Sequence, residues 1–329
     1  MAEGLDVAQI EGGHQVFQRR RGNGFELGSA SGLNGPFGPN LSEHPSIGLG
    51  LGLAGSPAEL ATDKGGDGRF GSVGQDSRQD VAGEEPAGFA VVAGIGQHGK
   101  LFDFLNLNGF YSLHGRTIPV ATGIKLANPD LSVICVTGDG DSYAEGLDHL
   151  IFAAKRNLNI TVLVHDNRVY GLTTGQFTPT SPYGYRGHST PRGEKEVPLN
   201  PMELMLASGA SFIGRGYTGR RDELKRLIRE AILHRGFSFV DILQICATYN
   251  DLTHYYNERV YTWPEEDVND HRAAYGKARE WNYSDDAKIG LGVMYRHTAP
   301  TFEDAYPVPV EMTPDERAGW VARIMSERS

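Results

Sequence analysis

Apolar positions along the chain fall into two regimes that change at Gly88. From there on, short unbroken apolar runs alternate with stretches in which apolar residues recur every three or four positions. The run Phe89–Ala93 and those at 132–137, 160–164 and 237–245 have the length and β-branched content of strands buried on both faces. Ile118, Ala121, Ile124 and Ala127 form a helical stripe that opens near His114-Gly115-Arg116 and closes at Asn128-Pro129, with Pro119 tolerated in the first turn. Leu147, Leu150, Ile151 and Ala154 predict a helix over about 145–155. Leu224, Leu227, Ile228, Ala231 and Ile232 predict the clearest amphipathic helix, over 221–234, stopped by Gly236. Asn200-Pro201 reads as an N-cap and first helical residue, 211–213 as a short strand, and Thr313-Pro314 as the start of a last helix near 313–326. From 88 to about 250 this alternation predicts an α/β fold, a doubly wound parallel sheet.

Residues 1–87 break the pattern. Nineteen of the 43 glycines fall within 1–85, which lack Tyr, Trp and Cys and show no period of 2 or 3.6. They are read as a low-complexity extension, either poorly ordered or translated from a shifted frame. GLGLGLAG at 48–55 is not a phosphate loop, because no strand precedes it and no Lys-Ser/Thr follows. Beyond Asp251 the chain turns polar and aromatic, so 251–329 is read as a C-terminal extension. Its cluster Tyr255, Tyr256, Tyr261 and Trp263 suits a subunit interface slightly better than a core.

Charge narrows the partners. A net charge of −10 argues against a nucleic-acid groove. No run is long and apolar enough to span a membrane and no secretory leader is read, so a cytoplasmic location is expected. With only Cys135 and Cys246, neither a disulfide scaffold nor a self-contained four-cysteine metal site is available.

The candidate chemistry lies between the strands at 132–137 and 160–164. The first leads into the turn Gly138-Asp139-Gly140-Asp141, and the second ends at Asp166-Asn167. In a parallel β-α-β unit both ends lie on the carboxyl edge of the sheet, where ligands of open α/β sheets bind. An Asp139–Asn167 oxygen pair suits a hard cation such as Mg²⁺, which takes a few protein oxygens and completes its shell with ligand phosphates. Glycines on either side of Asp139 let backbone approach a phosphate. The loop 165–199, rich in Gly, Pro, Thr and Ser, is long enough to be functional. Lys100 could contact a phosphate or a partner, or lie solvated.

Four segments, HGRTIPVATGIKLANP (114–129), GDGDSYAEG (138–146), DNRVYGLTTGQFTPTS (166–181) and GFSFVDILQICATYN (236–250), resemble the beta subunit of 2-oxoacid:ferredoxin oxidoreductases. The resemblance runs over about 88–305, and a GDG separated from an Asn by 26 residues is the thiamine-diphosphate signature. It implies that Asp139 and Asn167 hold Mg²⁺ through their side chains and Val169 through its carbonyl. Gly138, Gly140 and Asp141 would line the diphosphate, with Gly171 and Leu172 on its other side. Ile95, Gly96, Gln97 and His98 would form the turn beside the cofactor rings. His114, which in isolation reads more often as a hydrogen-bonded structural histidine, would face the cofactor as the candidate catalytic residue. The implied reaction is oxidative decarboxylation of pyruvate or 2-oxoglutarate to the acyl-coenzyme A, with ferredoxin as acceptor. An alpha subunit would supply the Glu that activates the cofactor. Three departures stand out. Of the cysteines that hold the family's 4Fe–4S cluster only Cys246 is matched, with Gln97 at one of the missing positions, so no such cluster is expected in this chain. Thr174 stands where many members carry Lys. The family's N-terminal sheet element is not recognisable in 1–85. The missing cysteines leave open a non-oxidative decarboxylase or carboligase subunit, or a non-catalytic partner that stabilises an alpha chain.

Overall fold

The computed structural model describes residues 86–283, 286–306 and 312–327; the expectations for 1–85 lie outside them. In chain order the elements are β1 (Phe89–Ala93), β2 (Asn108–Tyr111), α1 (Thr117–Ala127), β3 (Ser132–Gly138), α2 (Leu147–Arg156) and β4 (Ile160–Asp166). A small hairpin, β5 (Val169–Tyr170) and β6 (Gln176–Phe177), precedes α3 (Pro201–Ala207), β7 (Phe212–Tyr217), α4 (Arg221–Leu233) and β8 (Ser238–Leu243). The chain then forms α5 (Thr253–Arg259), β9 (Val260–Thr262), α6 (His271–Arg279), β10 (Ile289–Arg296) and α7 (Pro314–Glu327).

Eight strands form one sheet in the order β2-β1-β3-β4-β8-β7-β10-β9. Every neighbouring pair is parallel except β7 with β10, which is antiparallel. The strands β1, β3 and β4 read as apolar runs because both faces are covered. Ala90, Val92, Val133, Cys135 and Val162 face α1, α2 and α3 in one core. The alternate residues Phe89, Val91, Ile134, Val136 and Leu163 face α4 in the other. α4 meets that core with Leu224, Leu227, Ile228 and Ala231, the stripe expected for it.

Two readings are corrected by the packing. The strand expected at 211–213 runs on to Tyr217, because Gly214 and Gly216 leave room for Leu227 and Leu224 of α4. Beyond Asp251 the chain returns to the sheet, with β10 closing on β7 and β9 on β10. The aromatic cluster there is core within this chain rather than an open surface. Tyr256 is fully buried against Trp281, Trp263 is 4% exposed, and Tyr255 and Tyr261 pack beside them.

Candidate cofactor site

The register of the central strands sets the site. β3 and β4 run side by side with Gly138 opposite His165, so Asp139 and Asp166-Asn167 leave the sheet together at its carboxyl edge. β1 runs parallel to β3, so the turn at 95–98 that follows it lies at the same edge, where Gly94 N–H donates to Val136 O at 2.8 Å. A cleft opens there, lined by residues at and just beyond the ends of β1, β3 and β4.

All the residues expected to bind cofactor or metal line this one cleft: the turn Ile95, Gly96, Gln97 and His98, then His114, the segment Gly138 to Asp141, and Asn167, Val169, Gly171 and Leu172. Three further lining residues were not foreseen, His165, Tyr170 and Thr173. The position of His165, next to Asp166-Asn167 at the strand end, is the one signal that could have singled it out. Lys100 is exposed and paired with Asp103. Thr174 is exposed with φ +76°.

Asp139 is 3% exposed and its Oδ2 has no hydrogen-bond partner. Burial pushes its carboxyl well above the usual carboxylate range, against the pull of the Thr178 hydroxyl and of the Asp139 and Gly140 N–H groups. A buried carboxylate oxygen without a donor is costly, and a cation is the partner that would satisfy it. Asn167 is held by a tight turn: its Oδ1 accepts from Val169 N–H at 3.0 Å, and its carbonyl accepts from Asn250 Nδ2 at 3.1 Å. Arg168 between them has φ +62° and is drawn inward, donating through Nε to Thr180 O at 2.6 Å and through its guanidinium to Tyr283 O. Among the described residues no three His, Cys, Asp or Glu side chains converge on a metal position. A cation at Asp139 and Asn167 therefore fits as one that shares its shell with a phosphate ligand.

The glycines of the acidic turn are sterically required. A Cβ on Gly140 would lie 2.1 Å from the Tyr170 ring, whose hydroxyl donates to Gly140 O at 3.1 Å. Burial raises the Tyr170 hydroxyl to about 12, so it stays a donor. A Cβ on Gly94 would lie 1.9 Å from Asp141 Oδ2. Asp141 itself is committed to structure: its carboxylate accepts from Gly115 N–H at 2.5 Å, Thr137 Oγ1 at 2.6 Å and Thr117 Oγ1 at 3.3 Å. That clamp fixes the turn carrying His114. His114 Nδ1 lies 3.2 Å from Asp141 Oδ1 and 3.3 Å from Glu145 Oε2, without hydrogen-bond geometry to either.

Beneath the cleft, unforeseen charged residues fill the sheet. Asp241, in β8, accepts from Tyr143 hydroxyl at 2.7 Å and Tyr283 hydroxyl at 2.5 Å, with Arg215 Nε at 4.0 Å; all four side chains are buried. Asp166 accepts from Arg168 N–H and Thr180 Oγ1, leaving Oδ2 unpartnered. Burial, then the nearby Asp139 and Asp241, push its carboxyl up. Cys135 lies in the middle of β3, where burial raises its thiol; Cys246 is bridged to Asn250.

A mostly parallel sheet with a glycine-framed acidic turn at its carboxyl edge is the architecture of the thiamine-diphosphate-binding class, and that is the class to which the comparisons assign the chain. Residues 94–242 match the family "Thiamine pyrophosphate enzyme, C-terminal TPP binding domain", and 246–309 match the C-terminal family of the "Pyruvate ferredoxin oxidoreductase beta subunit". The chain is 42% identical over 225 residues to 2-oxoacid:ferredoxin oxidoreductase 1, subunit beta, of Aeropyrum pernix, covering 64% of this chain and 70% of that one. It is 39% identical over 257 residues to the Sulfolobus sp. 2-oxoacid:ferredoxin oxidoreductase subunit beta, covering 73% and 83%. A 2-oxoglutarate:ferredoxin oxidoreductase structure from Magnetococcus marinus, with 2-oxoglutarate, coenzyme A and succinyl-CoA bound, superposes with a TM-score of 0.64 at 32% identity over 74% of this chain and 79% of that one. The chain belongs to the family of 2-oxoacid:ferredoxin oxidoreductase beta subunits and is an oxidoreductase subunit. No helix among the described residues is long and apolar enough to cross a membrane.

Proposed function

We propose that the chain binds thiamine diphosphate through Mg²⁺ and, with an alpha subunit, converts a 2-oxoacid and coenzyme A to the acyl-coenzyme A and CO₂, passing two electrons to ferredoxin. The observation that carries the reading is the buried, unpartnered Oδ2 of Asp139 at a cleft framed by Gly138, Gly140 and the Asn167 turn. Asp139, the Asn167 side chain and the Val169 carbonyl would hold the cation; Gly138 and Gly140 would admit the diphosphate between backbone segments.

When bound, thiamine diphosphate supplies the nucleophilic carbon and the electron sink for decarboxylation. The chain's own residues hold and shield the site. Asp141, through Gly115 N–H, keeps His114 facing the cleft, and Tyr170 closes one wall by its bond to Gly140 O. Leu172, 73% exposed at the rim, offers an apolar face to the rest of the enzyme. 2-Oxoglutarate is the favoured substrate, in line with the names of the Magnetococcus marinus structure and of the 46% identical subunit KorB of Mycobacterium tuberculosis.

Gln97 in the turn, where the family carries a cluster cysteine, favours a second reading in which the redox step is absent and the 2-oxoacid is decarboxylated without oxidation. Reconstitution with the alpha subunit separates the two. Viologen or ferredoxin reduction that requires 2-oxoglutarate, coenzyme A, thiamine diphosphate and Mg²⁺ supports the first reading. CO₂ release without acceptor reduction contradicts it.

A further inference from the structure

The turn after β1 contains a histidine placed as a ligand-binding group. His98 lines the cleft and is 8% exposed, and its buried Nε2 has no hydrogen-bond partner. The ring occupies a slot that two glycines make possible: a Cβ on Gly96 would lie 2.6 Å, and one on Gly138 2.8 Å, from its Cε1. Gly96 has φ +141°, a backbone that side-chain-bearing residues rarely adopt. The slot is closed from the other side by His165, stacked at 5.9 Å between centroids and 20° between planes. His165 is itself held by Gln244, with Nδ1 3.2 Å from Oε1. The imidazole is thus fixed in orientation by its neighbours, and none of them satisfies Nε2.

Packing alone does not explain that arrangement. A leucine would fill the slot without leaving a buried polar atom, and buried polar groups in folded proteins are nearly always paired. Burial, with His165 and His114 nearby, disfavours the imidazolium, and a neutral imidazole carries one N–H donor. Gly138, against which the Cε1 edge of the ring packs, leads directly into Asp139, so the ring lies at the end of the cleft that carries the acidic turn.

We propose that the His98 Nε2–H donates a hydrogen bond to an anionic oxygen of the bound ligand, making His98 a binding residue beside the metal site. This rests on reading the cleft as the thiamine-diphosphate site. Two sources offer such an oxygen, the diphosphate of the cofactor and the carboxylate of the 2-oxoacid.

The test uses the complex with the alpha subunit and three proteins: wild type, His98→Leu, which keeps the bulk, and His98→Gln, which keeps an N–H donor. Calorimetry measures binding of Mg²⁺-pyrophosphate, of Mg²⁺-thiamine diphosphate, and of 2-oxoglutarate to the cofactor-loaded complex. His98→Leu weakens one of these about tenfold, as expected for one hydrogen bond to an anion, and His98→Gln restores most of it. Weakened pyrophosphate and thiamine diphosphate binding identifies the diphosphate as the acceptor; weakening confined to 2-oxoglutarate identifies the carboxylate. Equal binding by wild type and His98→Leu, or equal loss in both variants, overturns the proposal. Should either variant fail to assemble, ¹⁵N-histidine spectra of the wild type decide: His98 Nε2 must move on ligand addition, and its failure to move while calorimetry records binding overturns the proposal. Absence of any cofactor binding by wild type would instead reject the reading of the cleft.

Discussion

The cleft and the cluster around Asn157 are both groups of buried polar side chains at strand ends of the same sheet, yet they are built on opposite terms. Asn157, the left-handed cap of α2 with φ +49°, uses both ends of its amide. Its Oδ1 accepts from Ser211 Oγ at 2.6 Å and Phe237 N–H at 2.8 Å, and its Nδ2 donates to Pro300 O at 2.9 Å. Asn159 adds a bond from Gly236 N–H at 3.0 Å. In the cleft, by contrast, His98 Nε2, His114 Nδ1 and Asp139 Oδ2, and Asp166 Oδ2 beneath them, are all buried and unpartnered. Saturated polar groups tie α2, β7, β8 and the 299–300 segment together, whereas unsaturated ones mark where the fold gives up stability for binding.

That contrast can be broken by substitution. Asp141 stands at the boundary, lining the cleft while its carboxylate is fully engaged, so Asp141→Ala should show the largest loss. About 4 kcal/mol of stability is expected from three buried bonds to a charged acceptor, read by urea unfolding. Asn157→Ala should cost about 3 kcal/mol, combining lost bonds with an unfavourable left-handed alanine, and leave thiamine diphosphate affinity unchanged. Asp139→Asn should do the reverse, raising the stability of the ligand-free protein by about 1 kcal/mol because an unpartnered buried carboxylate is removed. A substantial loss of stability there would erase the distinction between the two regions.

The smallest expected effect is a pH dependence at the Asn157 end. Ser211 Oγ also lies 2.8 Å from His234 Nε2, and burial, then His297 and Arg296, lower His234 from 6.5 to about 4. The unfolded chain binds this proton more readily than the folded one. The stability it contributes is therefore complete above pH 6.5 and is lost as the pH falls toward 4. Melting temperatures across that window should slope downward with acidification in the wild type and less so in His234→Gln.

Much of this organisation is legible in the amino-acid order because the parallel strands are covered on both faces and so read as unbroken apolar runs. β10 was not, since Gly290, Gly292 and a register shift between Val293 and Tyr295 interrupt its pattern near the sheet edge. The cleft could be anticipated from Asp139 and Asn167 because strand ends in a β-α-β unit must meet. The charges under it could not. Arg215 and Asp241 sit within strands whose neighbours are apolar, and only the fold reveals that Tyr143 and Tyr283, far apart in the chain, provide their hydrogen bonds. The aromatic cluster near Tyr256 misled for the same reason, since its cover, Trp281, comes from a later segment.

The central claim is that Asp139 anchors a cation-dependent diphosphate site. Its most direct test is calorimetric titration of thiamine diphosphate, with and without Mg²⁺, into the wild-type complex with its alpha subunit and into the Asp139→Ala complex. Mg²⁺-dependent binding in the wild type, weakened at least about a hundredfold in the variant without loss of folding, is the predicted result. Equal Mg²⁺-dependent affinity in both would contradict it.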